Sequence, residues 1–500
     1  MKKLPEHLEE KKKLLESLVI ENGEITEVEY CEGKSFRMVN GMRLRGHGPF
    51  FAVHLKLRPE AGSCIGITMG LPTEDWNGKF AGFGNGGAAG TTAVKDVCRG
   101  TALGYASAHT DMGTDPAVEG SVGNMAVVRD FGGRATHLMT MVGKQITTAF
   151  YGRAPEYSYF FGGSTGGQQG MKEAQEYPED YNGIVCLCPA YDRIALHAQV
   201  VWELNRSHEA PFSKKELEAI TARMVEEYGP RCGSAPGDNF IAYPMDIGAP
   251  DLSILRDEKM KVKLTDSQIA VLEKLYAGPS DPETGESIHV GMTPGTETQN
   301  GYITDLGELY AATCAALLFP FRWGLGNTMD PEHFDFHADY LRGRQQLSAL
   351  LDAPDPDLSR FRALGGKMIM VHGTADSLVP HPTTLRYFEQ LQQVCGDTAD
   401  FLRLFVVPGH GHAMLGPAFQ DVGYLDYAAI PQNALYDPLI ALDEWVTQDK
   451  APAEIIARGF VGNQILMAKV CRERPIYPWP TRTRYRSGDP DKKESYEPQI

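Results

Sequence analysis

The run YSYFFGGSTGGQQGMKEAQEY (157–177) constrains this chain more than any other segment. An aromatic, strand-like half passes through Gly162-Gly163-Ser164-Thr165-Gly166-Gly167 into a polar half that reads as a helix over 168–177, stopped by Pro178. A strand that enters a helix through so short a corner needs glycines, because side chains there would collide with the neighbouring strand and helix. The corner fits G-x-S-x-G, a turn that lifts its serine to a helix N-terminus, where backbone N–H groups favour negative charge. GIVCLCPA (183–190) follows as a buried-strand run. The order β-α-β is what a parallel, helix-covered sheet requires, so the fold class is α/β.

The rest of the chain extends this core. Five hundred residues exceed one small domain. A short charged helix is expected over 4–20, with Lys11, Lys12 and Lys13 on a solvated face. Strand-like runs lie at 49–57, 64–72 and 79–87, and helical spacing at 134–151. From about 191 the texture is longer, more helical and more irregular. Ser213 with Glu216 and Thr265 with Gln268 read as capping boxes, the second helix ending near Gly278-Pro279. Strand texture returns at 367–373 and 402–409, with helices at 383–395 and from Asp437-Pro438 to about 449, before a polar Pro/Arg-rich tail. The expected organisation is a core in two parts, 1–190 and 356–500, split by an inserted lid at 191–355.

Composition removes several functional classes. Forty-eight Lys+Arg against 65 Asp+Glu give −17, with no basic cluster to wrap nucleic acid or an anionic membrane. No run approaches the roughly 20 apolar residues of a membrane span. Charges interrupt the N-terminal MKKLPEHLEEKKKLLESL wherever a secretory signal would need its apolar segment. Nine scattered Cys, with no CxxC, make neither a disulfide framework nor a zinc ribbon. The expectation is a soluble cytoplasmic protein with mostly buried thiols, whose partner is a small molecule.

A serine hydroxyl needs a base. Downstream, KMIMVHG (367–373) leads to Asp376, and LRLFVVPG (402–409) leads to His410-Gly411-His412. The order Ser, acid, His after strand-like runs is that of α/β-hydrolases. Asp376 would orient the imidazole and His412 would take the Ser164 proton. An oxyanion needs donors: the N–H of Thr165, and those of Gly86 and Gly87 in the early turn FGNGG (83–87). Other readings stand beside these. Asp376 could be a turn residue, and FGNGG an ordinary or phosphate-binding turn, though no P-loop Lys-Ser/Thr follows it. His410 and His412 could be a metal pair, though no carboxylate or Cys beside them completes a site. His372 reads as a packed histidine.

The sequence resembles the tannase and feruloyl esterase family of α/β-hydrolases. The resemblance runs through GFGNGGAAG (82–90), GYASAHTDMGT (104–114), the block 150–185 around Ser164, VHGTADSLVPHPTT (371–384), VVPGHGHAMLGP (406–417), ALDEWVTQDKAPAEIIA (441–457) and RPIYPWPTRTRY (474–485). It implies an α/β-hydrolase core, catalytic Ser164, Asp376 and His412 in preference to His410, and 191–355 as the lid. It also implies a cysteine pair bridging the positions before the nucleophile and after the histidine. Here those positions are Gly163 and Ala413, and Tyr477 stands at a third family cysteine. Packing must then hold the two turns together, as suits a reducing compartment. Many members bind calcium in an acidic lid loop; the matching region 237–251 lacks the alternating carboxylates, and neither metal nor cofactor is expected.

The function expected is serine carboxylic-ester hydrolysis through an acyl-enzyme, the phenolic or aromatic acyl preference coming from the resemblance. A general carboxylesterase, a thioesterase or amidase, and a non-catalytic binding protein on a hydrolase fold are the alternatives. Trp202, Tyr310, Phe319, Phe321 and Trp323 could offer the lid an aromatic surface, or form plain core. Arg206, His208 and Arg322 are its polar candidates for substrate contact, or structural residues.

Overall fold

The structure, a computed structural model, describes residues 4–34, 46–114, 118–425, 430–463 and 469–500. Nine strands join in one sheet: β1 (Gly23–Cys31), β2 (Phe50–Leu57), β3 (Ile65–Pro72), β4 (Lys79–Phe83), β5 (Ala106–Thr110), β6 (Tyr157–Gly163), β7 (Gly183–Leu187), β8 (Lys367–Gly373) and β9 (Leu402–Val407). Their order across the sheet is β1-β2-β3-β5-β4-β6-β7-β8-β9. From β5 to β9 every pairing is parallel. The first part, β1-β2-β3-β5, is antiparallel. Residues 58–64 are too few for the crossover a parallel β2-β3 pair would need.

All five residues of β7 are buried, as in a strand covered by helices on both faces. β5 is equally buried although it reads ASAHT. Its polar atoms find partners: Ser107 Oγ donates to the Val97 carbonyl at 2.9 Å and Thr110 Oγ1 to that of Gly66 at 3.0 Å. That composition hides the strand from a hydrophobic pattern. β1 escapes for the opposite reason: on the sheet edge, it buries only Val28.

Helices follow the expected signals closely. Ser213 and Glu216 form a reciprocal capping box, as do Thr265 and Gln268. Asp437 caps the helix Pro438–Gln448 by accepting from the Leu439 N–H. The N-terminal helix spans Glu6–Glu16. The C-terminal tail is more regular than its polar composition suggests: Ile455–Phe460 pairs with Val470–Ile476, and Arg482–Tyr485 with Tyr496–Gln499.

The block between β7 and β8 holds two kinds of core. Phe212, Leu217, Ile220, Met224, Leu272 and Ile303 belong to an apolar cluster of its own. Phe319, Phe321, Trp323 and Leu347 join the main core, where Trp323 meets Phe131 edge-on with ring centroids 5.1 Å apart. No helix among the described residues is long and apolar enough to cross a membrane. The nine thiols are free, but only Cys186, Cys188, Cys232 and Cys314 are buried, while Cys64 and Cys471 are exposed, so the expectation of mostly buried thiols is corrected.

Because Trp323 is 0% exposed within the core shared by both segments, Trp323→Ala is expected to lower stability by about 3–5 kcal/mol. Urea unfolding should show one transition that shifts as a whole. Separate unfolding of the insertion would contradict the shared core.

Candidate active site

β6 ends at Gly163 and the next helix begins at Thr165, leaving Ser164 at the corner with φ 60° and ψ −117°. A non-glycine residue there is strained by about 1–3 kcal/mol and persists only where its surroundings fix it. Here the Ser164 N–H donates to the Leu187 carbonyl at 2.9 Å, and its own carbonyl accepts from Gln168 and Ala190, each at 3.1 Å. A Cβ at Gly162 would lie 2.5 Å from the Gly166 carbonyl oxygen, so only glycine lets strand and helix approach this closely. The helix starts three residues before the expected 168, because Gly166 and Gly167 break the helical pattern of the sequence.

The parallel sheet brings two further segments to the same edge. Asp376 follows β8; its Oδ1 accepts the N–H groups of Leu378 and Val379 at 2.9 and 2.8 Å. His412 follows β9. Its Nδ1 lies 2.8 Å from Asp376 Oδ2 and its Nε2 lies 3.0 Å from Ser164 Oγ. Asp376 is 0% exposed. Burial alone would raise its carboxyl, but the charge of His412, then His372 with its Nε2 3.5 Å away, and the hydrogen bond from His412 hold it far below the usual carboxylate range. Burial disfavours the His412 imidazolium, yet Asp376, and then Cys188, raise it well above an ordinary histidine.

The two neighbouring histidines singled out in the sequence, His410 and His372, have structural partners. His410 Nδ1 lies 2.8 Å from the Phe419 carbonyl, and His372 meets Thr384 Oγ1 and the Val379 carbonyl, both at 2.8 Å. Cys188 is a residue that sequence reasoning missed. Its Sγ, a His412 ring nitrogen and an Asp376 oxygen lie within 4.8 Å of one another. The expected Asp376 carboxylate is in place, and the fold adds Cys188, so the expectation that no Cys lies near His412 is corrected. The register Gly163↔Leu187 places Cys188 next to the corner, and nothing in the spacing along the chain announces that pairing. Both His412 nitrogens already face Asp376 and Ser164, so a metal would have to displace one of these bonds. A second cluster, His137, Glu173 and Asp180, lies outside this site. Burial, then the charge of Asp180, pushes Glu173 well above the carboxylate range and favours its protonated form, and Lys144 supplies a cation nearby.

The loop after β4 is fastened to the corner. The Gly166 N–H donates to the Asn85 carbonyl at 2.7 Å, and Thr165 Oγ1 to that of Gly87 at 2.7 Å. The Asn85 N–H is consumed by Gln169 Oε1 at 2.8 Å. Gly86 and Gly87 sit on the exposed side of this loop, with open space where a side chain would be. Thr165, at the first helical position, has no intrahelical acceptor for its N–H.

The aromatic residues of the insertion are mainly core: Phe319, Phe321 and Trp323 are buried, Tyr310 stacks on His208 at 4.0 Å, and Trp202 packs edge-on against Phe336. Arg206 pairs with Glu209 at 2.6 Å, and Arg322 bonds Asn327. In the region 237–251, Asp238 holds Arg474 at 3.0 Å and Asp246 holds Arg482 at 2.6 Å.

Tyr424 fills the space beside the corner. Its ring meets Phe161 edge-on at 5.8 Å, and a Cβ at Gly163 would lie 1.5 Å from its hydroxyl oxygen. Gly163→Ala is therefore expected to destabilise the protein by about 1–3 kcal/mol through overpacking. Tyr424→Leu in the same chain should recover part of the loss in thermal melting. Equal melting of Gly163→Ala and the unaltered protein would refute this packing.

Comparison with known proteins identifies the family of the chain. Residues 53–315 and 323–498 match the family described as tannase and feruloyl esterase. An uncharacterized esterase of Xanthomonas campestris is 28% identical over 461 residues, covering 85% of this chain and 79% of its own. A probable feruloyl esterase B-2 of Aspergillus flavus is 29% identical, covering 80% and 78%. The crystal structure of feruloyl esterase B from Aspergillus oryzae superposes with a TM-score of 0.81 at 22% identity, over 98% of this chain and 100% of its own, and so shares the fold. The chain belongs to the tannase and feruloyl esterase family and is a carboxylic ester hydrolase on an α/β-hydrolase fold.

Proposed function

We propose that the chain hydrolyses esters of phenolic or other aromatic acids by a Ser164–His412–Asp376 triad and an acyl-enzyme. One observation carries the reading: Ser164 Oγ, His412 and Asp376 form a continuous chain of 3.0 and 2.8 Å contacts. His412 Nε2 takes the Ser164 proton as Oγ attacks the ester carbonyl. The tetrahedral oxyanion is held by the N–H of Thr165 and by those of Gly86 and Gly87. Collapse breaks the ester C–O bond, and His412 returns the proton to the departing alcohol. Water then attacks the acyl-Ser164, giving its proton to His412, and the acid leaves as Ser164 regains its hydrogen. Asp376 keeps the imidazole oriented and offsets its charge. The acyl preference is supported by the names of the A. flavus and A. oryzae relatives, both called feruloyl esterases.

Ser164→Ala should lower kcat by several orders of magnitude and abolish labelling by a serine-directed phosphonate. Labelling that persists in this variant would refute the nucleophile. Methyl ferulate and methyl gallate should be turned over faster than p-nitrophenyl butyrate; the reverse ranking would remove the aromatic acyl group and leave the triad.

The pH profile follows from the charges. His412 must be neutral to accept the proton, and its neighbours favour the imidazolium. The acid limb of kcat/KM should therefore lie above the ordinary histidine value of about 6.5, activity falling as pH drops through it. Cys188→Ala removes one contributor and should move the limb downward. A limb at or below the ordinary value in the unaltered enzyme would contradict the described environment.

A further inference from the structure

Arg193 opens the helix Arg193–Glu209, the first of the insertion, and is 3% exposed. Its guanidinium is spent on neutral partners. Nε donates to Gln168 Oε1 at 2.9 Å, Nη2 to the same oxygen and to Thr165 Oγ1 at 3.0 Å, and Nη1 to His197 Nε2 at 3.3 Å. The ring of Phe131 lies 5.4 Å from its central carbon. Among the described residues no carboxylate pairs with it. Asp352, the carboxylate it senses, is bonded to Arg344 at 2.9 Å and to the Ile194 N–H at 3.0 Å. Burial, only partly offset by Asp352, lowers Arg193 to about 9, and burial followed by the charge of Arg193 lowers His197 to about 3. His197 is therefore neutral and accepts through Nε2, its Nδ1 facing the Leu317 carbonyl.

A buried cation without a counter-ion is costly, so its position calls for a reason. Thr165 Oγ1 accepts from Arg193 and donates to the Gly87 carbonyl at 2.7 Å. The positive charge is thus joined through one hydroxyl to both segments that flank Ser164 on its oxyanion side.

We propose that Arg193 is a positioning residue of the oxyanion hole: it fixes Thr165 and, through the Thr165 hydroxyl, the Gly87 loop, and its fixed charge favours the tetrahedral anion over the neutral ester. The inference rests on the proposed roles of Ser164 and Thr165. Ester and transition state differ by one negative charge beside this cation, so its effect belongs to kcat and not to substrate binding.

The test compares Arg193→Met, Arg193→Lys and Thr165→Val in the full chain. Three readouts are used: steady-state kinetics, thermal melting, and affinity for a trifluoromethyl ketone, which binds serine as a tetrahedral anion, against the isosteric methyl ketone. Arg193→Met should lower kcat about ten- to a hundredfold with KM within about threefold. It should weaken the trifluoromethyl ketone far more than the methyl ketone. Arg193→Lys should recover part of kcat by restoring charge, and Thr165→Val should lower kcat in the same direction. Unchanged kcat in Arg193→Met overturns the proposal. So does equal weakening of both ketones without recovery by lysine, which would mark a merely structural residue. Failure of the triad reading is seen separately, as retained turnover or phosphonate labelling in Ser164→Ala.

Discussion

The parallel pairing of β6, β7, β8 and β9 is the constraint on which the rest of the molecule depends. Gly163 stands opposite Leu187, and Gly373 opposite Val407. Parallel strands leave their carboxyl ends on one edge, and crevices at that edge are where open α/β sheets place ligands. Ser164, Cys188, Asp376 and His412 all emerge there within a few residues of a strand end. The insertion is accommodated because it leaves from β7 and returns to β8, which are themselves adjacent. Whatever its own shape, it does not separate the groups on either side.

The corner around Ser164 is held without a covalent link. Tyr424 occupies the volume next to Gly163, and Asn85 and Gly87 bind the loop after β4 to the start of the helix. Buried polar side chains join these pieces from beneath: Gln169 reaches the Asn85 N–H, and Gln168 links Arg193 to the Leu351 carbonyl. Such contacts are short, directional and mutually dependent. They fix a strained turn more tightly than apolar packing alone, since a displaced member would leave a buried donor or acceptor unpaired.

Much of this arrangement is legible in the sequence, and the reasons differ by element. β6, β8 and β9 announce themselves as apolar runs, and Ser213, Thr265 and Asp437 announce helix starts through local hydrogen-bonding chemistry. Ser164, Asp376 and His412 can be picked out because each sits just beyond such a run. β5 is hidden because its side-chain oxygens are satisfied by backbone groups distant in sequence. Cys188 and Arg193 are hidden for a related reason. Their significance comes from strand register and from one helix packing on another, and neither quantity is written in local spacing.

The separation of the clustered groups along the chain carries a consequence for synthesis. Ser164 and His412 are 248 positions apart, and the segments made after His412 include the stretch that packs on the edge strand β9, where the Trp479 N–H donates to the Leu404 carbonyl at 2.7 Å. A nascent polypeptide carries Ser164 long before His412 is joined to it. β8 and β9, which complete the sheet on that side, arrive later still than the whole insertion. On the proposed triad, a polypeptide made only as far as β9 holds Ser164 without its base, and ester cleavage waits for the segment that carries His412.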